Sequence, residues 1–328
     1  MQVTVSVIIP VYNGAPFIAR AVRSALAQTH RPCEVIVVDD GSTDRTVDQL
    51  QAFGARITLI SIPNGGVSHA RNVGMRASRG ELLAFLDADD LWHPDKLRAQ
   101  VAALGDYPEA GLCCCDYQVF DRHRGRPVQH FSVLPRRVTM RFDRPFVDVL
   151  DTLISCNFVG TASTVVLRAS LARQVGLFDR AYRQAEDYDY WLRCARLSAF
   201  LVLSAELVDK RSHDSNLTND GLETYACHEQ VLLALQRRRQ DTPARQRAVR
   251  AALARTRYVM GNLLFESGAT GPAFAHYVRG LLHQRSPGNA FRFLFHVAKK
   301  TVRLLCGDLR RPARRAPGVR RNDLLSSK

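Results

Sequence analysis

The chain has 328 residues, 46% hydrophobic and 23% charged, with 20 Gly and 14 Pro. These are the proportions of a globular protein, not of a disordered, collagen-like or disulfide-scaffold chain. Its net charge of +15 is uneven, because residues 285–328 hold 12 Lys and Arg against two Asp and leave the rest only mildly basic. Arg outnumbers Lys 41 to 5, which suits bidentate phosphate contacts or reflects a compositional bias. Apolar runs such as Val5–Pro10 and Leu82–Leu86 fall short of the ~18–20 residues that span a bilayer. Met1-Gln2-Val3-Thr4-Val5 lacks the basic start of a secretory leader. A cytoplasmic setting is expected.

Val5–Ile9 is the first predicted strand. Pro10-Val11-Tyr12-Asn13-Gly14 follows it where a dinucleotide oxidoreductase would carry G-x-G-x-x-G, and no P-loop occurs in the chain. Tyr12 at this turn either stacks on a base or packs locally. Ile18, Val22, Ala25, Leu26 and Thr29 recur at helical spacing, with Asn13-Gly14 and Pro16 opening the helix and Arg31-Pro32 beyond its end.

The second strand, Glu34–Val38, runs into Asp39-Asp40-Gly41-Ser42. Ligands of open parallel sheets bind off the carboxyl ends of strands, so Asp39 and Asp40 are placed to accept hydrogen bonds from a base or ribose. The alternative is an acidic cap, with Ser42 or Asp44 closing a helix that starts near Thr43. After a third strand, Ile57–Ile60, Leu82–Leu86 repeats the design and ends in Asp87-Ala88-Asp89-Asp90. Residues i and i+2 of extended chain face the same way, so Asp87 and Asp89 can converge. A hard divalent ion takes one or two carboxylates plus substrate phosphate oxygens; otherwise this is a solvated turn capping a helix near Pro94.

Leu112–Cys115 is a predicted strand with three consecutive cysteines, which fit neither a disulfide framework nor a zinc site and read as buried thiols of a reduced protein. The basic stretch from Asp121 to Arg144, with Gly125, Pro127 and Pro135, is expected to leave the sheet. Ser163–Leu167 and Phe200–Leu203 complete the strands. Between them, Gln184–Arg193 places Glu186, Asp187 and Asp189 at a helix start beside Tyr190 and Trp191. A carboxylate desolvated by such aromatics makes a plausible general base. The bland reading has acids favoured by the helix dipole and Trp191 in the core. In Arg211-Ser212-His213, the imidazole either joins carboxylates around a metal or is a surface residue.

Beyond Thr224 the pattern is helical: Leu232, Leu233 and Leu235, then Tyr258, Leu263 and Leu264, then Phe274, Tyr277 and Leu281, with Gly268–Pro272 a turn. Apolar residues at 291, 294, 295, 298, 302 and 305 describe a basic amphipathic helix, which either lies on an anionic membrane face or packs on the preceding helices. The region around Arg310–Arg321 is expected to be loose.

Taken in order, Ser6–Asn13, Val37–Asp44, Gly65–Gly74, Phe85–Asp90 and Glu186–Arg193 closely resemble the family 2 inverting glycosyltransferases of GT-A fold. The resemblance covers residues 3 to about 220. It implies a Rossmann-like α/β mixed sheet flanked by helices, with a helical C-terminal extension outside the match: 1–224 the transferase domain, 225–306 helical, 307–328 a basic tail. It implies that Pro10, Tyr12, Asp39 and Asp40 hold the nucleoside, that Arg71 lies near the base or phosphates, and that Asp87 and Asp89 contact the ribose and coordinate Mn²⁺ or Mg²⁺ on the diphosphate. By the same resemblance His213 joins the metal, Asp187 is the base, and the setting is bacterial cell-surface polysaccharide assembly. The partners are then a nucleotide-sugar, expected to be a UDP-sugar, and a glycan or lipid-linked acceptor met at the inner face of the cytoplasmic membrane. One departure, Asn64-Gly65-Gly66, where many relatives are bulkier, leaves the expectation of a flexible loop. An inactive sugar-nucleotide binder and a nucleotidyltransferase are the rivals; specific nucleic-acid binding is not expected, because the basic excess is terminal and the strand ends are acidic.

Overall fold

The computed structural model describes residues 3–121, 128–139, 142–146, 149–212, 220–238 and 242–283. The chain divides into two compact units, Met1–Asp214 and Ser215–Lys328.

In the first unit the elements run β1 (Val5–Val11), α1 (Ile18–Leu26), β2 (Glu34–Asp39), α2 (Thr46–Gln51), β3 (Thr58–Ser61), α3 (Val67–Ala77), β4 (Leu82–Phe85), β5 (Leu91–Trp92), α4 (Lys96–Asp106), β6 (Ala110–Asp121), β7 (Val128–Gln129), α5 (Arg136–Thr139), α6 (Val149–Ser155), β8 (Val166–Arg168), α7 (Ala169–Val175), α8 (Glu186–Cys194) and β9 (Ala199–Ser212). Among the described residues they build one nine-stranded sheet in the order β3-β2-β1-β4-β8-β6-β9-β5, with β7 beside β6. The β3-β2-β1-β4 half is parallel. β8 runs antiparallel to both β4 and β6, β9 is parallel to β6, and β5 closes antiparallel on β9. The sheet is therefore mixed.

Side-chain alternation along the strands sorts the two faces. Val5, Val7, Ile9 and Val11 of β1 pack with Ile18, Val22 and Ala25 of α1, while Ile36 and Val38 of β2 meet Ala70 of α3 on the other face. There Gly74 lies so close to Ile8 that a Cβ would collide with it. α8 shares the α3 face. Phe178 stacks on Tyr190 (ring centroids 4.1 Å apart) and meets the edges of Phe85 and Trp191. Trp191 is thus core, as the bland reading had it.

Several boundaries differ from the sequence expectation. β6 and β9 are far longer than their apolar centres, because their outer halves carry polar residues that still pair in register up to Asp121↔Ser212. The stretch after Asp121 does not simply leave the sheet, since β7 returns to β6 through Gln118↔Gln129 and Val119↔Val128. The strand expected from Ser163 begins only at Val166, because Ala162–Thr164 forms a 3-10 turn opened by Thr161, whose side chain accepts from the Ser163 N–H. Cys113, Cys114 and Cys115 are buried and unbridged, and burial pushes all three thiols up.

The second unit consists, among its described residues, of α9 (Gly221–Gln236), α10 (Pro243–Glu266) and α11 (Thr270–His283). Asp220 and Thr242 cap α9 and α10 by accepting from Glu223 N–H and Arg245 N–H, and Gly268 turns the α10–α11 hairpin at φ 86°. Tyr277 is buried against α10, its hydroxyl donating to Asn262 Oδ1 at 2.8 Å. No helix among the described residues is long and apolar enough to cross a membrane. The amphipathic stretch at 291–305 and the basic tail lie outside the described residues.

A buried lysine ties α4 to the 3-10 turn. Lys96 is fully buried; its ammonium donates to Gln100 Oε1 at 2.6 Å and lies 4.2 Å from the Trp92 ring centre. Gln100 Nε2 in turn donates to the carbonyls of Cys113 and Thr164. Burial pulls the Lys96 amine down from 10.5 to about 8. Between those values the unfolded chain holds a proton that the folded chain has released, so stability rises with pH across the window. Lys96→Met should lack this rise. Its stability relative to wild type, from urea unfolding, should fall by about 3 kcal/mol between pH 7.5 and 10.5; a constant difference would show that the amine stays charged in the folded protein.

Candidate active site

The end of β4 and the start of α8 meet around one buried cation. Arg71, on α3, is 4% exposed. Its Nη2 donates to Asp87 Oδ1 at 2.8 Å and its Nη1 to Glu186 Oε1 at 2.6 Å, and its guanidinium lies 5.5 Å from the Phe178 ring centre. Burial opposes the charge, but Asp87, Glu186 and Asp187 outweigh it and hold Arg71 protonated. Asp87 is fixed on both oxygens, Oδ2 accepting from Thr161 Oγ1 at 3.1 Å. Burial alone would raise its pKa; Arg71, Lys210 and Thr161 keep it below the ordinary carboxylate range.

Glu186 and Asp187 part company. The chain enters α8 through Ala185 in the left-handed region at φ 61°, a conformation that costs a non-glycine residue about 1–2 kcal/mol. Glu186 is buried against Arg71, and desolvation, with Asp187 adding repulsion, pushes it up to about 7 despite the opposing pull of Arg71. Asp187 is half-buried, its Oδ1 accepting from the Tyr188 N–H at 2.6 Å. The more desolvated acid of the α8 pair is thus Glu186.

The Asp-rich turn does not cap α4. Asp90, 1% exposed, accepts from Ser163 Oγ at 2.6 Å and from the Arg211 N–H at 3.2 Å. Burial and its neighbours Asp89 and Asp87 raise it well above the usual range. Asp87 and Asp89 are both half-buried, but Asp87 is held by Arg71 and Thr161.

On the β2 side, Asp40 accepts from the N–H groups of Gly65 and Gly66, both at 2.8 Å. The loop expected to be flexible is therefore held by a buried carboxylate, and Gly66 enters α3 at φ 87°, ψ 163°. Asp39, also buried, accepts from the Ser42 N–H at 3.2 Å. Asp44, not Ser42, caps the following turn through the Thr46 N–H, and α2 begins at Thr46 rather than near Thr43. Ser42 instead accepts from the Asn13 N–H, while Asn13 Oδ1 takes the N–H groups of Thr43 and Asp44. Tyr12 beside it is 53% exposed, and Pro10 sits inside β1 opposite Val38.

Pro10, Tyr12, Asp39, Asp40, Arg71, Asp87, Asp89 and Asp187 thus lie on β1, β2, α3, β4 and α8 and the turns that follow these strands. His213 lies outside the described residues. Sequence reasoning missed Thr161 and Ser163, which carry no signal beyond their alternate spacing, the separate role of buried Asp90, and Lys210, whose mark is being one of five lysines in an arginine-rich chain. Among the described residues no group of three His, Cys, Asp or Glu could hold a metal ion, and Asp87 is engaged by Arg71 and Thr161. A hard cation completed by phosphate oxygens and water needs only one or two protein carboxylates, and the acidic turn at Asp89 fits that modest requirement.

Residues 6–162 match the family described as Glycosyl transferase family 2. An uncharacterized glycosyltransferase of Rickettsia typhi is 33% identical over 224 residues, covering 66% of this chain and 67% of that one. Among solved structures, Staphylococcus aureus TarS in complex with UDP-GlcNAc aligns with a TM-score of 0.63 at 18% identity, covering 85% of this chain and 81% of that one. The mannosyltransferase PcManGT of Pyrobaculum calidifontis, in complex with GDP-Man and Mn²⁺, aligns at 0.60 and 19%, covering 94% and 82%. The fold is that of the GT-A glycosyltransferases. The chain belongs to glycosyltransferase family 2.

The backbone at Gly66 lies in a region that side chains adopt only under strain of about 1–3 kcal/mol. Gly66→Ala should lower unfolding free energy by that amount. Gly105→Ala, on an open position of α4, should instead raise it by about 0.5–1 kcal/mol. Thermal or urea unfolding of the pair checks both signs.

Proposed function

We propose that the protein transfers a sugar from a UDP-sugar to an acceptor hydroxyl with inversion, in the assembly of cell-surface glycans. The observation that carries this reading is the buried Arg71, which holds the strand-end acid Asp87 and the α8 acid Glu186 together. Donor-side and acceptor-side groups are thereby fixed relative to each other. Family membership supplies the reaction class. TarS with UDP-GlcNAc and PcManGT with GDP-Man and Mn²⁺ support a nucleotide-sugar donor and a divalent cation for this chain as well.

In this reading exposed Tyr12 stacks on the base and Asp39 takes a nucleoside N–H or hydroxyl. Asp40 acts by holding the Gly65–Gly66 loop, and Pro10 fixes the strand that presents Tyr12. Arg71 touches no substrate and sets the positions of Asp87 and Glu186. Asp187, the more accessible acid of the α8 pair, accepts the acceptor's hydroxyl proton. The acceptor oxygen then forms its bond to the anomeric carbon as the bond to the diphosphate oxygen breaks, and a single displacement inverts the centre. Asp89, with His213, would hold a divalent cation, which when bound supplies positive charge to the departing diphosphate. Residues 1–224 form the transferase domain of this proposal, with 225–306 a helical region and 307–328 a basic tail.

A panel of UDP- and GDP-sugars with Mn²⁺ tests the reading, which requires release of the nucleoside diphosphate. Release of pyrophosphate would make the protein a nucleotidyltransferase. Asp187→Asn keeps the shape but cannot take a proton, so kcat should fall by roughly 10²–10⁴-fold with donor affinity retained. An Asn variant holding more than about a tenth of the wild-type kcat would remove Asp187 from the role of base.

We further propose a lipid-linked acceptor met at an anionic membrane face. Phe274, Val278 and Leu282 stand exposed along α11, Leu282 at 77%, and the strongly basic stretch follows them in sequence. Full-length protein should co-sediment with anionic vesicles and a chain ending at Ser286 should do so less. Equal behaviour of the two would remove the tail from membrane contact.

A further inference from the structure

We propose that Lys210 binds the diphosphate of the donor, beside the acidic turn and in addition to any divalent cation. The inference rests on the nucleotide-sugar reading above. β9 brings this residue to the site by a register that its own sequence does not reveal. Past the irregular pairing at Asp116↔Glu206 and Tyr117↔Val208, the outer half of β9 runs beside β6 with Val119↔Lys210 while also pairing with β5 through Leu91↔Asp209. Strand alternation then divides its side chains. Asp209 turns to His93 at 3.0 Å and Arg211 to the Phe17 ring, leaving Lys210 on the opposite side, with its ammonium 5.9 Å from the Tyr117 ring centre.

On that side the Arg211 N–H, one residue on, already holds Asp90 Oδ1 at 3.2 Å. The lysine backbone is therefore anchored to the turn that carries Asp87 and Asp89. Lys210 is half-buried, and among the described residues no direct ion pair closes on its ammonium. Burial works against its charge, but Tyr117, Asp90, Asp87 and Asp89 more than compensate and keep it protonated. It differs in this from Arg71, whose two terminal nitrogens are committed to Asp87 and Glu186. A protonated amine near three acids, close to but not joined to any of them, retains its three donors for an incoming anion. A diphosphate approaching a turn of carboxylates meets repulsion that one ammonium reduces, and a compact ammonium leaves room for a metal ion where a guanidinium fork would not.

The test is calorimetry of UDP, GDP, inorganic pyrophosphate and the matching nucleosides into the full chain, in EDTA and then in Mn²⁺. Wild type should bind one of the nucleoside diphosphates measurably in EDTA. Lys210→Met and Lys210→Gln should weaken that binding by about 10- to 100-fold, the worth of a charge-assisted hydrogen bond. The loss should be smaller in Mn²⁺. Affinity for the nucleoside alone should not move, and Lys210→Arg should restore much of the EDTA affinity. Neutral variants that bind the diphosphate as tightly as wild type in EDTA would overturn the proposal. So would equal losses for nucleoside and diphosphate, which would mark a purely structural role. A wild type that binds no nucleoside diphosphate in either buffer would instead bring down the donor reading, and this inference with it.

Discussion

A guanidinium removed from water must be surrounded by acceptors or its burial becomes prohibitive. Arg71 answers that requirement at its two terminal nitrogens, with Asp87 16 residues on and Glu186 115 residues on, while its buried Nε has no hydrogen-bond partner. Much of the site's shape follows from this arrangement. Asp87 must stand at the end of β4 with its second oxygen on Thr161, so the 3-10 turn before β8 has to sit against the acidic turn. Glu186 must face inward, so α8 begins through a strained Ala185 and Asp187 is left the more accessible acid. The aromatic packing of Phe85, Phe178, Tyr190 and Trp191 holds α8 on the sheet at the distance the ion pairs need.

The same constraint divides the carboxylates by task. Asp40, Asp90 and Glu186 lie buried in hydrogen bonds that hold loops and elements together, Asp87 is half-buried but tied to Arg71 and Thr161, and Asp89 and Asp187 are half-buried. A strand-end acid in such a sheet is therefore no guide in itself to ligand contact. Asp40, read from the sequence as a nucleoside ligand, holds the entry to α3 with both oxygens. The double glycine fits that geometry, because two successive N–H groups have to converge on one carboxylate and Gly66 has to turn through positive φ.

The sequence made β1, β2 and β4 legible because they are apolar and buried on both faces, with Asp-rich turns marking the ends of β2 and β4. The five ordered motifs carried the GT-A assignment, and family membership and fold bear it out. The outer halves of β6 and β9 were less visible. Their side chains are polar and partly exposed, and their pairing is set by an irregular register that no local pattern encodes. Lys210 and Asp90 acquire their surroundings only through that register. Ser163 was read as the start of a strand, and Thr161 was not singled out, because a single hydroxyl-rich 3-10 turn has no periodicity to detect.

The mixed sheet also has a kinetic consequence. β1, β2 and β3 pair with their neighbours in sequence, whereas β4 returns to β1 and the Arg71–Glu186 and Arg211–Asp90 contacts close loops of 115 and 121 residues. Loop-closure entropy grows only slowly with length, by about 0.6 kcal/mol per doubling, but topologies rich in such non-local contacts form slowly. The ledge made by the ends of β1 and β2 can therefore organise early in folding, while the wall that bears Glu186 and Asp187 awaits the late docking of α8 and β9. On the function proposed above, a chain halted between these stages would have the strand ends proposed for the donor without the α8 acids proposed for the proton, so donor binding could be acquired before transfer.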